Sequence, residues 1–144
     1  MVFETKKMDL FTKEIVDNYY LCHCISADFA LGAGIAVSFD RIFDLRNKLN
    51  TLYPNYKFTG YDCILIDKVF NLVTKDKCWH KPTYGSLLNS LMKMKKIVKD
   101  LNIDKIAMPI IGCGLDRLDW NRVEELIKQI FKDVDIEILV CIKE

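Results

Sequence analysis

The stretch that decides the fold is PIIGCGLDRLDW, residues 109–120. It leaves an apolar run, KIAMPII at 105–111, and enters an amphipathic one, WNRVEELIKQIFK at 120–132. Two glycines, a cysteine and an aspartate lie between them. The apolar run reads as a buried strand and the second as a helix, with Asp119 as N-cap and Arg122 three residues on. A strand, a short glycine loop and a helix in succession form the repeating unit of an α/β fold, in which ligands bind at the carboxyl ends of strands.

The same grammar occurs at the other end of the chain. YYLCHCI, residues 19–25, is an apolar run of strand length, suited to a central strand buried on both faces. SADFALGAGIAVSF follows, and the segment 39–49 continues as one helix carrying Ile42, Phe43, Leu45 and Leu49 on one side. Residues 2–6 read as a first strand and 9–18 as a turn or short helix. Residues 63–66 and 69–74 form two strands around an Asp67-Lys68 hairpin turn. Pro82 keeps Lys81 out of a helix. From Thr83 or Tyr84 onward, Leu87, Leu88, Leu91, Met94, Ile97, Val98 and Leu101 recur every three or four residues. Residues 136–142 supply a last buried strand. The expectation is one domain over residues 1–144, a three-layer α/β/α sandwich around a mixed, largely parallel sheet.

Composition narrows the function. A chain of 144 residues, half apolar, fits one core. Its 21 basic and 20 acidic residues leave a net charge of +1, no footprint for nucleic acid over the whole molecule. Lys75, Lys77 and Lys81 make one local basic patch. No apolar run reaches the roughly 20 residues that span a bilayer, and MVFETKKMDLF lacks a signal-peptide core, so a cytoplasmic protein without membrane contact is expected. The six cysteines then read as reduced thiols. Cys22, His23 and Cys24 have no second ligand pair at zinc spacing, and no metal is expected.

Gly32-Ala33-Gly34 and Gly112-Cys113-Gly114 both follow strands. Glycines permit close approach and positive φ, and a following helix adds its dipole, so such loops suit a phosphate. Two on one edge suit a diphosphate. Neither is GxGxxG or GxxxxGK[ST], which argues against a dehydrogenase or a P-loop NTPase.

HCISADFALGAGIAVSF, LVTKDKCWHKPTY and MPIIGCGLDRLDW, in this order and together reaching across nearly the whole chain, resemble a macrodomain, and within that family the terminal ADP-ribose protein glycohydrolase class. The resemblance implies ADP-ribose as ligand and ADP-ribosylated proteins as partners, with no cofactor. The implied activity is removal of ADP-ribose from acidic side chains, with related action on O-acetyl-ADP-ribose. It implies Lys75 and Asp116 as the catalytic pair. It implies Asp9, with Leu10, at the adenine, although Met8 stands where the family has glycine. Gly32, Ala33, Gly34 and Ile35 are implied on one side of the diphosphate and distal ribose. Ile111, Gly112, Cys113, Gly114 and Leu115 are implied on the other, and Ser26 beside the distal ribose. Cys141 stands where some relatives stack an aromatic on adenine, which leaves either a thinner adenine platform or Phe11 as the substitute.

The residue types suit that chemistry. A lysine amine can trap the sugar carbon C1″ as a Schiff base, and a neighbouring carboxylate can orient the amine and shuttle protons. A simpler route has Asp116 activate water while Lys75 stabilises charge. A module that binds ADP-ribose without cleaving it needs no such pair, and a hydrolase of ADP-ribosylated nucleic acid bases would use the Lys75–Lys81 loop. His23 reads as a core histidine, His80 as a residue pinning its loop, and Cys113 as a small packing residue. Trp79 and Trp120 read as packing residues and Asp28 as a partner of nearby backbone. A monomer is expected.

Overall fold

The computed structural model describes residues 1–143. The elements run β1 (Val2–Lys7), α1 (Lys13–Asn18), β2 (Tyr20–Ser26), α2 (Ile35–Phe43), α3 (Leu45–Leu52), β3 (Asp62–Ile66), β4 (Val69–Lys75), α4 (Tyr84–Leu101), β5 (Lys105–Met108), α5 (Trp120–Phe131) and β6 (Glu137–Ile142). The sheet order is β1-β6-β5-β2-β4-β3. Every pairing is parallel except β3 against β4, the hairpin at Asp67-Lys68. The mixed, largely parallel sheet inferred from the sequence is what forms.

Strand alternation splits the core into two layers. Cys22, Phe70, Leu72, Ile106, Met108, Ile138 and Val140 face α4 and α5, whose Leu87, Leu91, Met94, Val98, Val123 and Ile127 close over them. Leu21, Ile25, Val69, Val73, Ala107 and Leu139 face the other way, under Ile15 of α1, Phe39 of α2 and Leu45 and Leu49 of α3. Each fully buried side chain of this size contributes about 1.5–3 kcal/mol. No helix among the described residues is long and apolar enough to cross a membrane.

Two expectations need correcting. The helix proposed over 39–49 is two helices. Asp44 takes a left-handed conformation, φ 54°, and its carboxylate accepts from the side-chain amide of Asn47 where α3 begins. The turn lets Phe39 lie on β2 while Leu45 and Leu49 also reach the core. The strand proposed over 105–111 stops at Met108. Pro109 has no N–H for a ladder, and Ile111 N–H already turns back to the Pro109 carbonyl at 2.8 Å.

A polar pair lies in the interior. Nε2 of His23 lies 2.6 Å from Oδ1 of Asn71, whose amide donates to the carbonyls of Ile64 and Val69. Asn71 is thereby oriented with its oxygen toward the ring, so Nε2 carries the proton. Nδ1 is left unprotonated, buried and without a partner, while the ring stacks on Phe39 at 3.9 Å. Burial lowers the His23 pKa to about 4, outweighing the Asn71 bond that raises it. The folded state therefore resists a proton that the unfolded chain accepts below its ordinary value of 6.5. Stability from this source is complete above that value and drains away as pH falls toward 4, by up to about 3 kcal/mol. Denaturant melts at pH 7, 5.5 and 4.5 should show a steeper loss in the wild type than in His23→Gln; parallel curves would mean that His23 does not set the acid limit.

Candidate active site

Parallel pairing brings the carboxyl ends of β1, β6, β5, β2 and β4 to one edge. Their order sets the loops in line. Asp9 follows β1 at one end and Lys75 closes β4 toward the other, with the two glycine loops, after β5 and β2, between them.

Lys75 is the last residue of β4. Its backbone is held on both sides: Ala27 N–H donates to its carbonyl at 2.9 Å, and α4 grips the strand end through Ser86 and Ser90 hydroxyls, which donate to the carbonyls of Thr74 and Val73. A bulge between Ile25 and Ser26 sets Ser26 opposite Lys75. Asp116 arrives from the loop after β5, where Leu118 N–H donates to the Gly112 carbonyl at 2.8 Å and Arg117 adopts φ 63°. Lysine Nζ and Asp116 Oδ1 meet at 2.7 Å, and each side chain is only 15% exposed. A cation and a carboxylate so placed can exchange a proton while facing one ligand.

The sulfurs beside them are poor rivals as nucleophiles. Burial, then the charge of Asp116, raises the Cys24 thiol to about 12. Burial, then Asp119 and Asp116, raises Cys113 to about 11. Neither forms an appreciable thiolate near neutral pH.

The two glycine loops differ. Helices α1, α4 and α5 have side-chain caps in Thr12, in Thr83 with Ser86, and in Asp119. Helix α2 starts at Gly34, φ 61° and ψ −149°, with no side-chain cap. Its first amides and the positive end of its dipole face the edge of the sheet, the arrangement that binds an anion. Gly32, Ala33, Gly34 and Ile35 are all exposed there. In the second loop Gly112 is buried and serves packing: a Cβ would lie 3.1 Å from Leu118 Cδ1 and 3.5 Å from Leu87 Cδ2, at φ 72°. Ile111 is also core, at 2% exposure. Cys113 is half-buried, Gly114 has open space around it, and Leu115 is exposed. The loops touch where Leu115 packs at Gly34.

At the far end, Asp9 is exposed and one oxygen accepts from Phe11 N–H at 3.0 Å, while the other has no partner among the described residues. Leu10 and Cys141 are buried. Phe11 stands edge-on to Phe39, centroids 4.9 Å apart. Ser26 is 5% exposed, and its hydroxyl donates to Asp28 Oδ1 at 2.5 Å, so only its acceptor side remains for a ligand. His80 accepts from Lys77 N–H within its own loop, as a pin. Trp120 packs on the core, but Trp79 does not: it is 72% exposed and touches His80 edge-on.

Two ties between loops had no local signal in the sequence. Asp28 reaches Cys78 N–H at 2.9 Å, fifty residues away, and Lys81 donates to the Leu115 carbonyl at 2.7 Å. A third feature, the missing cap on α2, was legible as Gly-Ala-Gly before a helix.

No protein-family model matches the sequence. The chain is 39% identical over 137 residues to the human ADP-ribose glycohydrolase OARD1, covering 93% of this chain and 87% of that protein. It is 28% identical to a DNA ADP-ribosyl glycohydrolase of Mycobacterium tuberculosis, over 83% of this chain and 37% of that one. Among solved structures it is similar in fold to the macrodomain of Thermus aquaticus DarG, TM-score 0.85 with 18% identity over 97% of both chains. The macrodomain of Mycobacterium tuberculosis DarG follows at TM-score 0.82, 20% identity, over 99% of this chain and 98% of that one. A strand-end lysine and aspartate in contact, a glycine-started helix aimed at the same edge, and this likeness over nearly the full length of OARD1 make the chain a macrodomain of the family to which OARD1 belongs.

Proposed function

We propose that the chain is an ADP-ribosyl hydrolase that releases ADP-ribose from esters of acidic side chains, and that O-acetyl-ADP-ribose is a second substrate of the same site. The observation that carries this is the 2.7 Å contact of Lys75 with Asp116 on the edge where α2 begins uncapped. A binding module needs the helix end but not the pair. The names of the relatives OARD1 and the mycobacterial glycohydrolase support hydrolysis as the reaction class.

In this reading Asp9 bonds the adenine amino group, the amides at Gly34 and Ile35 take the diphosphate, and C1″ of the distal ribose lies at Lys75. Asp116 accepts a proton from the amine. Nitrogen bonds to C1″ as the bond from C1″ to the acyl oxygen breaks, and the acid leaves as a carboxylate. Opening of the ribose ring yields the Schiff base. Water, giving a proton back through Asp116, adds to that carbon, and the amine departs to leave free ADP-ribose. A cavity of about 390 Å³ beyond Lys75, lined by Phe58, Asp76, His80, Lys81 and Thr83, gives the departing group room.

One observation favours a second substrate class. Trp79, exposed between Lys77 and Lys81, pairs a free aromatic face with cations, the combination that holds single-stranded nucleic acid. Hydrolysis of ADP-ribosylated bases is therefore the alternative.

Lys75→Ala and Asp116→Ala should each lower turnover of a glutamyl-ADP-ribose peptide by about a hundredfold or more. Borohydride added during wild-type turnover should leave an adduct on the Lys75 peptide in mass spectra. An active Lys75→Ala enzyme would leave only water activated by Asp116, and a wild type that binds tightly but cleaves neither peptide nor modified DNA would be a binding module. Gly114→Glu puts a carboxylate into open space without touching the core, so its melting temperature should hold. Its affinity for ADP-ribose by calorimetry should fall about tenfold or more through repulsion of the diphosphate. Unchanged affinity would remove this loop from the ligand.

A further inference from the structure

The three loops around Lys75 and Asp116 come from strands that the sheet keeps together, yet loops are the most mobile part of such a site. Beyond the backbone bond from Ala27 N–H to the Lys75 carbonyl at the strand ends, three contacts join them pairwise. Leu115 Cδ1 lies beside Gly34, 3.3 Å from where a Cβ there would stand, bringing the loops after β5 and β2 together. Lys81 donates to the Leu115 carbonyl, joining the loop after β4 to the peptide beside Asp116. The remaining side of the triangle is Asp28. Its Oδ1 accepts from the Ser26 hydroxyl at 2.5 Å and from Ala30 N–H at 3.2 Å, both within the loop after β2. Its Oδ2 accepts from Cys78 N–H at 2.9 Å, three residues beyond Lys75. One half-buried carboxylate thus spans the loop that presents Gly34 and the loop that presents Lys75.

The surroundings make that span matter. Between Asp28 and Gly34 the chain passes through two non-glycine residues at positive φ, Phe29 at 54° and Leu31 at 43°, with both side chains buried. A backbone in that region persists only where its neighbours over-determine it. The Ser26 and Ala30 bonds hold the start of this strained segment. Burial works against charge on Asp28, but its bonds from Ser26, Cys78 and Ala30 prevail, so the carboxyl stays below its ordinary value and ionised at neutral pH. An ionised carboxylate accepts at both oxygens at once, which no neutral side chain of this shape does.

We propose that Asp28 is a positioning residue: it fixes the distance between the anion-binding start of α2 and the amine of Lys75, so that a ligand seated by the first meets the second in reacting geometry. It touches neither the reacting carbon nor the amine. The inference rests on Lys75 being the reacting group, and it separates two properties that a merely structural aspartate would move together. Grip on ADP-ribose depends on the loop after β2, which Ser26 and Ala30 still tie. Rate depends on the register between loops, where errors of an ångström cost orders of magnitude.

Asp28→Asn tests this. The amide keeps one acceptor for Ser26 and Ala30 and turns a donor against Cys78 N–H, so only the bond between loops is lost. Expected are a kcat on glutamyl-ADP-ribose peptide lowered about ten- to a hundredfold, with KM and the calorimetric affinity for ADP-ribose within about threefold of wild type. Cys78→Pro removes the donor from the other side without touching Asp28, and so answers the question even where the Asn variant folds poorly. Because both cut one bond, the double variant should be no slower than the slower single one. Wild-type kcat in Asp28→Asn, a loss of affinity as large as the loss of rate, or additive effects in the double variant would each overturn the proposal. A wild type without turnover would instead fail the hydrolase reading.

Discussion

Parallel pairing of β2 with both β4 and β5 is the constraint on which the site depends. Parallel neighbours send every following loop to the same edge, whatever the loops contain. With β2 in the middle, the residues after its end stand between those after β4 and β5, and Lys75 and Asp116 meet although forty-one residues separate them. An antiparallel strand in place of β2 would put the glycine-started helix at the opposite edge. The antiparallel hairpin is confined to β3, beyond Lys75, where it costs the site nothing.

That arrangement also explains which side chains are left to do chemistry. The strands alternate into two dry layers, so groups two or three residues back from the edge lose water. Cys24 and His23 lie there, the one held as a thiol and the other as a neutral ring. Lys75 ends its strand, further out, and is paired with the Asp116 carboxylate. In the register of β2 against β4, Cys24 stands two residues back from Ser26, the residue opposite Lys75, and burial there, helped by the charge of Asp116, holds it as a thiol.

Much of this was legible in residue order. The three- and four-residue spacing from Leu87 to Leu101 and the apolar run at 19–25 each specify one element, because a single physical requirement, burial of a face, acts on every residue in them. The glycines and the pair Lys75 and Asp116 were legible through a family resemblance, not through spacing. What escaped was decided by single residues against the local trend. Asp44 bends a continuous helical pattern by adopting φ 54° without being glycine. The closeness of Leu118 and Leu87 to Gly112 is likewise not written in residue order. Trp79 reads as a packing residue yet lies exposed, with His80 edge-on to it. The second partner of Asp28 lies fifty positions away, and no periodicity encodes a bond of that kind.

The open start of α2 has a consequence outside catalysis. Every helix terminus deprived of a side chain relies on solvent, and here the segment leading into it already carries the left-handed Phe29 and Leu31. An anion seated on those amides would serve as the absent cap. It would add to folding free energy by mass action, about 2.7 kcal/mol at a hundred times its dissociation constant. On the proposed function, the lifetime of the folded chain against heat or proteases would then rise with the concentration of ADP-ribose around it.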